Sequence, residues 1–191
     1  MIEQNGSITE KDSPYFILNK IFCEEFEDFI LERNGKVKGS YNAWSFSIAG
    51  KICDPNIWIL NYKKSTYSSG NLMLSTKGQN VLTSAEWKTK NIFEPKFKIR
   101  RKKFTDLLSL KLTRTLSTLD YSNKYVVDIQ KQNDRAFKKL LNTLKPLFIS
   151  EEIYEIENVG KKFRVELRTD QHHFKIFNQL AELAKRFKAQ T

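Results

Sequence analysis

Cysteine is scarce in this 191-residue chain. Cys23 and Cys53 lie far apart in no CxxC or other metal-ligand spacing, which gives no support to a disulfide scaffold or a zinc fold. The pattern predicts two small apolar fillers in a reducing compartment. Histidine is equally sparse. His172 and His173 are adjacent, and neighbours on a helix point about 100° apart, so they form no chelating pair. Seven Gly and four Pro leave no room for a collagen repeat, a linker array or a Gly-rich phosphate loop. GxGxxG, Walker and GxSxG motifs are missing. No window approaches eighteen uninterrupted apolar residues, so no membrane span is predicted. Residues 1–11 lack the apolar core of a secretion signal. The expectation is a non-enzyme without a cofactor or metal, in the cytoplasm or on the soluble face of a membrane-associated system.

What the chain does hold is aromatic mass and positive charge. Fourteen Phe supply core material that argues against global disorder. Lys and Arg number 33 against 22 Asp and Glu, a formal charge of +11. The charge is segregated: residues 1–32 carry −6, 33–85 carry +6, 86–114 carry +7 and 115–191 carry +4. A basic middle steers toward nucleic acid, an anionic lipid surface or an acidic protein.

Residues 1–13 read as a flexible tail, and 14–191 as a single α+β domain with a soft boundary near 90–95. From Pro14 the spacing predicts a helix with Leu18, Phe22, Phe26, Phe29 and Ile30 inward, stopped at Asn34-Gly35. An antiparallel β meander follows. Trp44, Phe46 and Ile48 alternate with small residues, Asp54-Pro55-Asn56 makes a turn, Ile57 to Tyr62 is a strand, and Leu72–Thr76 and Val81–Trp87 flank a hairpin turn at 77–80. Pro95 opens a strand with Phe97 and Ile99 on one face and Lys96, Lys98 and Arg100 on the other. Phe104, Leu107, Leu108, Leu112 and Leu116 restore a helical period, and Tyr125–Ile129 makes a strand. Asn133 or Asp134 caps a helix that stops near Pro146; a hairpin turns at 158–161; Thr169 or Asp170 caps the last helix, with the histidines in its first turn. The fold class is α+β: an N-terminal helix, the meander, then a βαβαββα half packing helices on a mixed sheet. The predicted core is Phe22, Phe26, Trp44, Phe46, Phe97, Leu108, Leu112, Tyr125, Val127, Phe137, Leu141, Val165, Leu180 and Phe187.

Residues 93–188 carry a recurring arrangement: Phe97-Lys98-Ile99, then Tyr121-Ser122-Asn123-Lys124-Tyr125-Val126-Val127, the polar helix start Asn133-Asp134, a Leu-rich helix and a hairpin at Gly160. In this half the chain resembles a group of uncharacterised bacterial proteins. Those proteins open the middle strand with Phe-Asp where this chain has Tyr121-Ser122. The resemblance implies a bacterial origin and no particular activity, and assigns no functional residues.

Two charged features stand out. Glu24, Glu25, Glu27 and Asp28 form an acidic helix face, a candidate partner-facing surface. Lys96, Lys98, Arg100, Arg101, Lys102 and Lys103 form a candidate anion-binding ledge. The leading functional expectation is a protein-interaction or self-association module in which patches of opposite charge pair between chains. The alternative is a polyanion binder, of nucleic acid or an anionic lipid surface, acting through 96–103.

Overall fold

In the computed structural model of the chain the structure describes residues 1–53, 56–68, 79–90, 96–106, 116–129 and 135–188. The architecture is α+β with mixed strand pairing. The chain divides into two compact units, Met1–Glu86 with Arg168–His172, and Trp87–Leu167 with His173–Thr191. The division after Glu86 lies a few residues before the boundary read from the sequence.

The first unit holds β1 (Ile2–Gln4), a 3-10 turn (Ile8–Glu10), α1 (Pro14–Leu31), β2 (Lys36–Tyr41), β3 (Phe46–Ile52), β4 (Trp58–Ser68) and β5 (Gln79–Lys90) as far as Glu86. Its strands lie in the order β1-β2-β3-β4-β5, with β1 parallel to β2 and the β2-β3 and β3-β4 pairs antiparallel. The first residues are thus no loose tail. Ile2 is buried, its strand pairs with Gly39–Tyr41, and the Ser7 N–H donates to Glu10 Oε2 at 2.8 Å. One buried residue in a three-residue strand leaves no period to read. Phe46, Ile48 and Ile52 point to one face of β3, in register with the same face of β4, where Trp58, Leu60 and Tyr62 are buried. Gly50 lies on that face too. A Cβ there would come within 2.5–2.8 Å of Ile30 and Phe26, so its missing side chain lets α1 lie close on the sheet. The helix ends as the sequence suggests: Asn34 takes φ 52 and the Gly35 N–H donates back to the Ile30 carbonyl at 3.0 Å.

The second unit holds the end of β5 from Trp87, β6 (Phe97–Arg101), β7 (Leu116–Leu119), β8 (Ser122–Ile129), α2 (Arg135–Ile149), β9 (Ile153–Val159), β10 (Lys162–Leu167) and α3 (Phe174–Lys188). The strand order β10-β9-β6-β8-β7 is antiparallel throughout. Phe97, Ile99, Tyr125, Val127, Ile156, Phe163 and Val165 are buried. From α2, Phe137 meets Phe97 edge-on at 4.9 Å, and Phe148 meets Tyr125 at 5.0 Å. The hairpin of β9 and β10 turns through Gly160, whose φ of +63 suits a residue without Cβ.

Several expectations are corrected. Leu116 opens a strand rather than closing a helix, while Leu107, Leu108, Leu112, the capping pair Asn133-Asp134, Asp54-Pro55 and 72–76 lie outside the described residues. Pro146 does not stop α2, which runs on to Ile149 because Leu147 and Phe148 anchor the last turn in the core. Leu141 and Phe22 are only half-buried, and Trp44 is 49 % exposed. Thr169 and Asp170 do not cap the last helix, which starts at Phe174 after His173 at φ 54. His172 lies before that helix. It is buried, stacked on Phe22 at 3.7 Å between centroids, and its carbonyl accepts the Tyr62 hydroxyl at 2.5 Å. Cys23 is a buried filler, but Cys53 is exposed; neither is in a disulfide.

Candidate functional site

The alternation of β6 sends Phe97 and Ile99 into the core and Lys98 and Arg100 to the opposite face, as the sequence predicts. What that face meets was not legible. Strand β9 lies alongside with Glu157 opposite Lys98 and Glu155 opposite Arg100; β10 follows with Arg164 opposite Glu157. Lys98 Nζ lies 2.8 Å from Glu155 and 2.5 Å from Glu157. Arg164 Nη2 closes the square at 2.6 and 2.8 Å from the same two carboxylates, and its Nη1 reaches Glu166 at 3.2 Å. The Lys98 ammonium, with Arg164 beside it, holds Glu157 at about 2, well under its ordinary 4.5.

Arg100 is occupied as well. It grips Asp106 with two parallel bonds of 2.6 and 2.7 Å, and Asp106 also accepts the Lys103 N–H at 2.6 Å. These bonds, the guanidinium first, hold the Asp106 carboxyl well below the usual carboxylate range. Lys98 and Arg100 therefore belong to an internal ion-pair lattice and are not a free ledge for phosphate. Lys96 is exposed just before the strand.

The next residues behave differently. Arg101 is oriented by carbonyls: its Nε donates to Ile153 O at 3.1 Å and its Nη2 to Glu151 O. This fixes the guanidinium without cancelling its charge. The Lys102 N–H donates to Lys124 O at 2.8 Å, which ties the loop after β6 to β8. Arg101, Lys102, Lys103 and Lys124 line an open recess of about 490 Å³ together with Phe104 and Glu151, the carboxylate paired with Lys124. Phe104, read from its spacing as part of a buried helical stripe, is instead 88 % exposed at this recess. Half of the predicted ledge thus lines a site. Lys124 and Glu151 were missed because only the pairing of β6 with β8, and the bonds from Arg101, bring them there.

On α1 the buried stripe is Phe16, Asn19, Cys23, Phe26, Phe29 and Ile30; it keeps the predicted Phe26, Phe29 and Ile30 and is rotated from the prediction only in its first half. Asn19 joins it because its side-chain N–H groups donate to Asn42 O at 2.8 Å and Ala43 O at 3.2 Å, while its oxygen accepts Lys64 Nζ at 2.8 Å. The rotation turns Leu18 outward at 61 % exposure, with Ile17 and Ile21 beside it at 47 and 46 %. Further along the same outer face stand Glu24, Glu25, Asp28 and Glu32. Glu27 is not among them: it turns inward to within 3.5 Å of the Ile2 N–H and 3.6 Å of the terminal ammonium. Glu24 pairs with Lys20 at 3.7 Å, and Glu25 lies 3.6 Å from His172 Nε2. At the start of the helix Tyr15 stacks on Trp44 at 6.1 Å. Trp44 is held outward because Asn42 Oδ1 accepts the N–H groups of Trp44 and Ser45 at 2.9 and 2.8 Å, and its indole donates to Glu10 at 3.0 Å.

Among the described residues no group of three or more His, Cys, Asp or Glu is placed to hold a metal ion, and no helix is long and apolar enough to cross a membrane. The chain matches no family model, no curated protein and no solved structure.

Proposed function

We propose that this chain is a non-enzymatic interaction module, bacterial and cytoplasmic, that associates with a second copy of itself through the outer face of α1. The observation that carries the reading is the exposure of Ile17, Leu18 and Ile21 on one side of a helix whose other side is core. Contiguous apolar surface rimmed by charge is a mark of interaction sites. The acidic half of the same face selects the geometry. Parallel pairing would set Glu24, Glu25 and Asp28 against their own copies. Antiparallel pairing about Leu18 sets the apolar halves together and carries Glu24 and Glu25 past the partner's helix start, away from their own copies and next to its positive end. Two free thiols support the reducing compartment.

The association is weak by this accounting. Each of the three side chains is about half exposed, so burying it adds ~1 kcal/mol, or roughly 6 kcal/mol across both copies. Lost translation and rotation offset much of that. Sedimentation velocity over about 10–500 µM tests the reading, a range that spans weak dimers. A dimer that Leu18→Lys dissolves, and that added salt weakens, supports it. A strict monomer at the top concentration refutes it.

A further inference from the structure

The recess beside β6 has a composition that self-association does not use. Four cations line it against one carboxylate, Glu151, which is itself paired with Lys124. That leaves an excess of three positive charges in one concavity. The contrast with the adjoining strand is informative. Lys98 and Arg100, one to five residues away, are matched by carboxylates, whereas Arg101 is held by main-chain carbonyls, and Lys102 and Lys103 have no side-chain ion pair among the described residues. Arg101 is therefore preorganised, and the cluster keeps an excess of positive charge, which suits phosphate recognition.

Phe104 adds a second kind of chemistry. A phenyl ring 88 % exposed beside cations presents an open face on which a flat ring can stack. Bases stack on such rings whatever their sequence, and cations beside the ring hold the attached phosphates. A volume of about 490 Å³ is within the range of small-ligand sites. An anionic bilayer would meet the same cations but offers Phe104 no flat ring to stack on.

We infer that this recess binds a nucleoside phosphate, with the phosphate on Arg101, Lys102, Lys103 and Lys124 and the base stacked on Phe104. The unit is either a free nucleotide or part of a single strand. Both present the same chemistry, and the experiment separates them.

The test is fluorescence anisotropy of the full chain with a labelled single-stranded oligonucleotide of ~12 nucleotides, at about 50 mM salt and above, with ATP as competitor. Binding of the oligonucleotide with a log–log salt slope near −2 is expected for three released counterions on a single strand. Lys102→Ala with Lys103→Ala should weaken binding at least ~10-fold and flatten the slope by about 1.4. Phe104→Ala should weaken it ~5-fold or more and leave the slope unchanged. All three side chains reach solvent, so circular dichroism should show both variants folded. Displacement by ATP at comparable concentration assigns the site to free nucleotides, and binding that ATP does not displace assigns it to single strands; each supports the proposal. It is overturned if neither probe binds, if Phe104→Ala binds as tightly as the wild type, or if phosphatidylserine vesicles are captured while both nucleotide probes are not.

Discussion

Replacing Lys98 by Met removes the cation between Glu155 and Glu157 while keeping the length of the side chain. Arg164 is then left to satisfy both carboxylates and Glu166 as well. The cost is read from Glu157. Holding it at about 2 instead of 4.5 corresponds to roughly 3 kcal/mol at full strength. Lys98 is 37 % exposed and Glu157 28 %, so solvent screening reduces this to about 1–2 kcal/mol. Lys98 supplies the larger part of it, about 1 kcal/mol, because its bond leads the causes of the shift. A carboxylate with a depressed folded pKa contributes stability that is present above about 4.5 and is lost as pH falls toward about 2. The penalty of Lys98→Met should therefore be ~1 kcal/mol at pH 7, should shrink below about pH 4.5 and should vanish only as pH falls through about 2. Urea unfolding of both proteins across that interval measures it. A penalty independent of pH would show that Lys98 acts through packing of its stem, and the ion-pair reasoning would fail. Lys98→Glu should cost more than Lys98→Met at pH 7, since it adds a third carboxylate to the pair. A surface position would give a change within about ±0.5 kcal/mol for either substitution.

Phe137→Ala should destabilise by roughly 3–5 kcal/mol, because the ring is buried against Phe97 and the backbone of α2 cannot collapse into the space; less than about 1 kcal/mol in urea unfolding would place the helix in the wrong register. The two thiols should differ sharply. Burial first, then the charges of Glu24 and Glu27, pushes Cys23 up to about 12, while Cys53 is exposed. A thiol-reactive dye at pH 8 should label Cys53 alone in the native protein and both cysteines in urea, which mass spectrometry of the labelled peptides reads directly.

The alternating pattern of 97–101, the α2 stripe of Phe137, Leu140 and Leu144, with Leu141 half-buried at its edge, and the Gly160 hairpin were each determined by the sequence. Their signal is a period of two or of 3.6, or a turn residue, all contained within a few neighbours. The α1 stripe was legible at Phe26, Phe29 and Ile30 and misplaced at Leu18, for a specific reason. Its inward face includes Asn19, which counts as polar in any pattern, and it becomes core only because Asn42, Ala43 and Lys64, more than twenty residues away, satisfy its amide. With Asn19 inward, Leu18 lies on the outer face on which the proposed association rests. Trp44 follows the same logic, since a turn made by Asn42 overrides the strand alternation expected of it. The basic run 96–103 is visible in the chain as a line of like charges. Which of them are free is decided by partners that arrive from other strands: Glu155 and Glu157 across a ladder, Lys124 and Glu151 at its end. Charge in a sequence is additive, but the field at a site depends on distance, and only the tertiary structure sets the distances.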